Sequence, residues 1–213
     1  MILVPLVTAI VATIFALWVF SGWLRRRVPY RLAWAIGLAL FAIAALAGYS
    51  HRAGGGTATE YATFYLFGAL LNVPWLALGT IYLLVPQRLS RWALLAVTLL
   101  TLASIFAVAT TPVNAQAVAD TGRGYPDGSL PRVLALVSNA AGSLVLIGGA
   151  LWSAWRFWRT RTRPRRALAN VLIAAGVFIV AAGGTVAFTG TGGVLELTNL
   201  AGLVVMFAGF LLA

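Results

Sequence analysis

The chain contains no cysteine and no lysine, a single histidine (His51) and only four carboxylates in 213 residues. Without cysteine there are no disulfides, thiolate nucleophiles or thiolate metal sites, and cysteine usage says nothing about redox compartment. One histidine excludes a bis-histidine haem pair, an HExxH zinc motif and a two-histidine, one-carboxylate metal centre. No G-x-S-x-G elbow occurs either. Catalysis and a resident cofactor or metal are therefore not expected. His51, beside Arg52, reads as a solvated residue rather than a catalytic one.

Apolar residues make up 62% of the chain and charged residues only 9%, too little polar surface to cover a globule in water. The apolar runs of about 20 residues match a hydrocarbon core of ~30 Å. Inside hydrocarbon every backbone donor and acceptor must be satisfied within its own segment, which makes such runs helices. The predicted fold is all-α: a polytopic membrane protein, a seven-transmembrane-helix bundle forming one domain over 1–213. The helices are expected at Ile2–Leu24, Arg31–Tyr49, Ala58–Val85, Trp92–Ala109, Arg132–Trp158, Ala167–Phe188 and Val194–Ala213. The first lacks a basic n-region and exceeds an h-region of roughly 7–15 residues, so it reads as a retained helix rather than a cleaved signal. Pro29, Pro86 and Pro164 stand where helices should stop or start. Pro74 lies inside helix three and predicts a kink. Thr110–Pro131 is a long connection carrying Asp120, Arg123, Tyr125 and Asp127, either a lid or a plain connector.

All fifteen basic residues are arginine, and the formal net charge is +11. In a soluble chain that would suggest nucleic acid, but here twelve arginines fall in the gaps after the first, third and fifth apolar runs. They are Arg25, Arg26, Arg27 and Arg31; Arg88 and Arg91; and Arg156, Arg159, Arg161, Arg163, Arg165 and Arg166. Only Arg52, Arg123 and Arg132 fall in the alternate gaps. Short cytoplasmic loops accumulate arginine, so the asymmetry implies a protein integral to the cytoplasmic membrane, N-terminus outside and C-terminus inside. The lipid bilayer is the expected partner and nucleic acid is not. Seven of the eight tryptophans lie on or toward the arginine side, as an interfacial belt should, and Trp75 is the exception.

A weak internal repeat suggests a 3+1+3 parallel plan. Ala16-Leu17-Trp18 recurs as Ala150-Leu151-Trp152, Arg25, Arg27 and Arg31 fall on Arg159, Arg161 and Arg165, and with slippage Glu60 falls on Glu196. On helix three, Glu60, Phe64, Gly68, Asn72, Trp75, Gly79 and Tyr82 project onto one face at helical periodicity. Helix seven shows Glu196, Asn199, Gly202 and Met206 at the same spacing. The expectation is a pocket between helices three and seven whose ligand-binding residues are Glu60, Phe64, Asn72, Trp75, Glu196 and Asn199. Its ligand would be a small solute, an ion or a non-covalent lipophilic molecule. Packing explains the same residues: Asn72 as an interhelical hydrogen bond, Glu196 as an acid favoured by a helix N-terminus, Gly68 and Gly79 as close-contact positions. On helix five, Asn139, Gly142, Ser143 and Gly149 read first as packing positions.

In helix number, orientation and size the chain resembles microbial rhodopsins, although covalent retinal would need a lysine on the last helix. Pro86-Gln87 is similar to the PQ-loop dipeptide, and Asn72 and Asn199 resemble the paired asparagines of PQ-loop and SWEET transporters, which implies solute transport. The whole chain also resembles an uncharacterised family of bacterial seven-helix membrane proteins. Besides binding or transport, two further roles stay open: a ligand-sensing or pigment-binding receptor, for which no soluble output domain is expected after Ala213, and a structural or assembly subunit acting through a membrane protein partner. Topology is directly testable. A reporter that is active only in the cytoplasm should be silent when fused before Ile2 and active after Ala213; the reverse pattern refutes the arginine argument.

Overall fold

The structure is a computed structural model and describes residues 2–54, 56–114, 116, 118, 123–160, 164–188 and 193–212. Asp120, Arg161, Arg163 and Ala213, which figure in the sequence reading, lie outside the described residues. Among the described residues the fold is all-helical, with seven helices long and apolar enough to cross a membrane. They are α1 (Leu3–Arg26), α2 (Pro29–Ala53), α3 (Ala58–Leu84), α4 (Gln87–Thr110), α5 (Leu130–Thr160), α6 (Pro164–Phe188) and α7 (Gly193–Leu212).

Several helices run past the ends of their apolar cores, with Arg25, Arg26, Arg31, Arg88 and Arg91 lying in helix rather than in loops. A long arginine stem covers apolar surface while its head reaches water, so the backbone keeps its hydrogen bonds into the interface. Pro29 and Pro164 open their helices at the position where a missing N–H costs nothing. Arg27 closes α1 in the left-handed conformation (φ 51°), donating its N–H to the Trp23 carbonyl at 2.6 Å.

The predicted kink at Pro74 takes a different form. Residues Tyr65–Leu71 form a π-helical stretch between α-helical segments Ala58–Phe64 and Asn72–Leu84, with the Asn72 N–H reaching back to the Phe67 carbonyl. A π turn holds an extra residue, so side chains before and after it do not share the face that a regular α-helix would give them.

The chain forms two compact units, Met1–Gly142 and Ser143–Ala213, with the division inside α5. In the first, α1, α2, α3 and α4 pack as successive neighbours. The α2–α3 seam is built on small residues: Gly48 lies against Phe64, Gly37 against Leu76, Gly68 against Ala44, and Gly79 against the Trp34 indole. Trp34 donates Nε1–H across the seam to the Leu76 carbonyl at 3.1 Å.

In the second unit α6 and α7 pair antiparallel along glycines spaced seven apart on both helices. Gly183 meets Thr198, Gly176 meets Gly202 and Met206, and Gly209 meets Ala169. Lipid tails are as apolar as leucine, so helices here associate through close backbone contact rather than water exclusion. The outward faces remain apolar, with Leu17, Phe106, Leu144 and Phe178 each more than 60% exposed. Leaving a large apolar side chain in water forfeits about 1.5–3 kcal/mol, whereas in hydrocarbon it costs nothing.

A Cβ at Gly202 would lie 2.5 Å from Val180 Cγ2 and 2.6 Å from the Gly176 carbonyl oxygen, whereas one at Gly184 meets nothing within 4 Å. Gly202→Leu should therefore lower stability in detergent by about 1–3 kcal/mol, and Gly184→Leu should leave the melting temperature near wild type. Equal effects would show that the seam is not closely packed.

Candidate functional site

At the start of α3, Thr57 and Glu60 form a capping box. The Glu60 N–H donates to Thr57 Oγ1 at 3.2 Å, while Glu60 Oε2 accepts from the Thr57 N–H at 3.0 Å and from Thr57 Oγ1 at 2.9 Å. Its other oxygen accepts from Ser50 Oγ of α2 at 2.5 Å. Both oxygens of Glu60 are thus engaged in starting α3 and tying it to α2. The Thr-x-x-Glu spacing is a known helix-start signature and was readable in the sequence.

The supposed binding face of α3 divides at the π turn. Phe64, Gly68 and Gly79 belong to the α2 seam. Asn72 is buried, and its Oδ1 accepts the neighbouring Val73 N–H at 2.6 Å. That N–H would ordinarily bond the Ala69 carbonyl, which instead accepts from Asn139 Nδ2 of α5 at 2.5 Å. Two asparagines therefore reconnect the backbone groups that the π turn separates, just before Pro74 removes the next donor. Glu196 is buried in the first turn of α7, and Asn199 is half-buried one turn further on. Glu60, Phe64, Asn72 and Trp75 belong to the first unit, Glu196 and Asn199 to the second.

The densest polar-aromatic grouping of the first unit is one the sequence reading did not assemble. Tyr61 and Tyr65, one turn apart on α3, meet Tyr125 from the α4–α5 connection. Ring centroids are 5.9 Å apart for Tyr61–Tyr65, 5.7 Å for Tyr61–Tyr125 and 4.9 Å for the edge-on pair Tyr65–Tyr125. His51, in the last turn of α2, lies 6.2 Å from the Tyr61 ring. Trp75 packs against the larger apolar cluster that the three rings form with Leu70, Leu71 and Ala135.

Gly124 roofs Tyr61 so closely that a Cβ there would lie 2.6 Å from Cε1. The Gly124 carbonyl also accepts from the Asn114 N–H at 2.9 Å, which holds the connection down. Beside the cluster Arg132, at the start of α5, pairs with Asp127.

All three rings are buried, Tyr125 to 1% exposure. The hydroxyls of Tyr65, Tyr125 and Ser129 and the Nδ1 of His51 are buried without a hydrogen-bond partner. Burial, then the neighbouring Tyr61, pushes the Tyr125 phenol up to about 12, so it is a neutral donor across the physiological range. Among the described residues no group of three or more His, Cys, Asp or Glu side chains is placed to hold a metal. Chemically the cluster offers hydroxyl donors and acceptors, one imidazole and aromatic walls.

No protein-family model, no curated protein and no solved structure matches this chain.

The hydrogen bonds around the π turn generate a test. Asn72→Leu strands the Val73 N–H and Asn139→Leu strands the Ala69 carbonyl, and each should cost about 1–3 kcal/mol of stability in detergent. Because both repair one backbone defect, the double variant should lose less than the sum of the two. Additive losses, or an Asn72→Leu protein as stable as wild type, would remove this account of Asn72.

Proposed function

We propose that this chain is an integral membrane protein, N-terminus outside, that binds a small polar solute at the arginine-poor end of its first unit and is not itself a catalyst. The observation carrying this reading is the set of buried, unpartnered polar atoms on Tyr65, Tyr125, Ser129 and His51. Leaving one such group unsatisfied costs about 1–3 kcal/mol, and phenylalanine at position 65 or 125 would avoid that cost. A partner from outside the chain offsets it.

Neutral phenols donate, so the solute should carry hydroxyl or carbonyl oxygens. The aromatic walls favour a ligand with an apolar side as well. A bare metal cation fits poorly, since the nearby carboxylate of Asp127 is already paired with Arg132. The hydroxyls are buried, two of them on the α4–α5 connection itself, so a solute enters only if that connection moves. Such a site serves uptake or sensing equally well as a first step.

The test is a thermal-shift screen of the purified protein in detergent against hexoses, polyols, neutral amino acids, choline and alkali cations. At least one oxygen-bearing neutral solute should stabilise the wild type, and Tyr65→Phe and Tyr125→Phe should melt at or above the wild-type temperature while losing that response. If no panel member stabilises the wild type, or the response survives in the double phenylalanine variant, the reading fails.

A further inference from the structure

The opposite end of the first unit has the reverse charge problem. Arg25 and Arg26 lie in the last turn of α1, Arg27 caps it, and Arg31 lies in the first turns of α2. No carboxylate precedes Glu60 in the chain, and Glu60 sits at the far end of the α2–α3 pair. The Arg27 guanidinium is stacked over the Trp23 ring, 4.4 Å from its centroid. That of Arg31 packs against Gly22, where a Cβ would collide with it, and its Nε is buried with no hydrogen-bond partner. Four arginines therefore stand within seven residues around the α1–α2 junction, and among the described residues no carboxylate is seen paired with them.

Leading away from them is an apolar groove of about 260 Å³ between the same two helices. It is lined by Ala16, Leu17 and Phe20 of α1 and by Leu32, Ile36 and Ala39 of α2. Leu17 stands about 12 Å along the helix from Arg25 at 1.5 Å per residue. An open groove lined by apolar side chains, one of which, Phe20, stacks on Trp23 beneath the Arg27 guanidinium, matches one amphiphile in chemistry: a hydrocarbon chain bearing a phosphate.

We propose that the α1–α2 groove seats one acyl chain of an anionic phospholipid, whose phosphate is held by Arg31 together with Arg25, Arg26 and Arg27. Arginine suits the task because its planar fork presents paired donors to phosphate oxygens. The inference is independent of the tyrosine cluster and of any solute.

The test uses the full chain in nanodiscs of phosphatidylcholine and phosphatidylglycerol in equal parts. Native mass spectrometry after gentle release counts the lipids that stay bound. Phosphatidylglycerol should be retained in clear preference to phosphatidylcholine. Arg31→Gln should weaken that preference roughly fivefold, as expected for one basic contact to an anionic headgroup. Ala39→Trp, which plugs the groove on the lipid-facing side and leaves every arginine in place, should reduce retention as well; circular dichroism verifies the helix content of both variants.

Three results overturn the proposal: equal retention of the two lipids, retention unaffected by Ala39→Trp, or displacement of the lipid by soluble glycerophosphate at equal concentration, which would mean a phosphate site without a chain. Loss of a dimer on Ala39→Trp with lipid retention intact would assign the groove to a second copy of the chain and equally overturn it.

Discussion

Hydrocarbon offers the backbone no hydrogen-bonding partner, and most of this structure follows from that constraint. Six helices meet it by unbroken i to i−4 bonding through their apolar spans. The seventh, α3, breaks it at the π stretch and again at Pro74, where a donor is missing. Each broken connection inside a membrane is expensive, so side chains must supply what the helix does not. Asn72 takes the Val73 N–H and Asn139 donates to the Ala69 carbonyl. These amides are the polar groups that a lipid-embedded wide turn requires, and the second also ties α5 to α3.

Once backbone bonding is satisfied, the helices still have to find one another without water to drive them together. Both units answer with glycine. In α2–α3 the absent side chains of Gly37 and Gly79 admit Leu76 and Trp34, and in α6–α7 the carbonyl of Gly202 approaches the Cα of Gly176. The indole of Trp34 adds a hydrogen bond to its seam. Residues that look featureless in a sequence this rich in alanine and glycine thus set which helices are neighbours.

The number of helices was legible because 20-residue apolar runs allow no other backbone arrangement in lipid. Their ends were less so, because arginine stems let a helix continue beyond its apolar core. The face of α3 was not legible: a 100° projection assumes a regular helix, and one inserted residue at Tyr65–Leu71 rotates everything beyond it. Glu60 was visible as a charge, yet its role lay in the unremarked Thr57 three residues earlier. The tyrosine cluster could be read only in part. Tyr61 and Tyr65 are one turn apart, but Tyr125 arrives from a connection sixty residues on, and no periodicity links it to them.

The two ends of the first unit handle polarity in opposite ways. At one, neutral hydroxyls and an imidazole are buried beneath a glycine-containing roof, with the nearby arginine already matched by Asp127. At the other, four arginines lie around the α1–α2 junction, where the described residues place no acid against them. A buried neutral group without a partner lowers stability by a modest amount and can be satisfied by an equally neutral solute. Converging full charges demand a counter-charge, and the surface of a membrane carries it in every anionic headgroup. At the two proposed sites selectivity would therefore rest on hydrogen-bond geometry at the first end, and at the second on charge and on the apolar groove beside it.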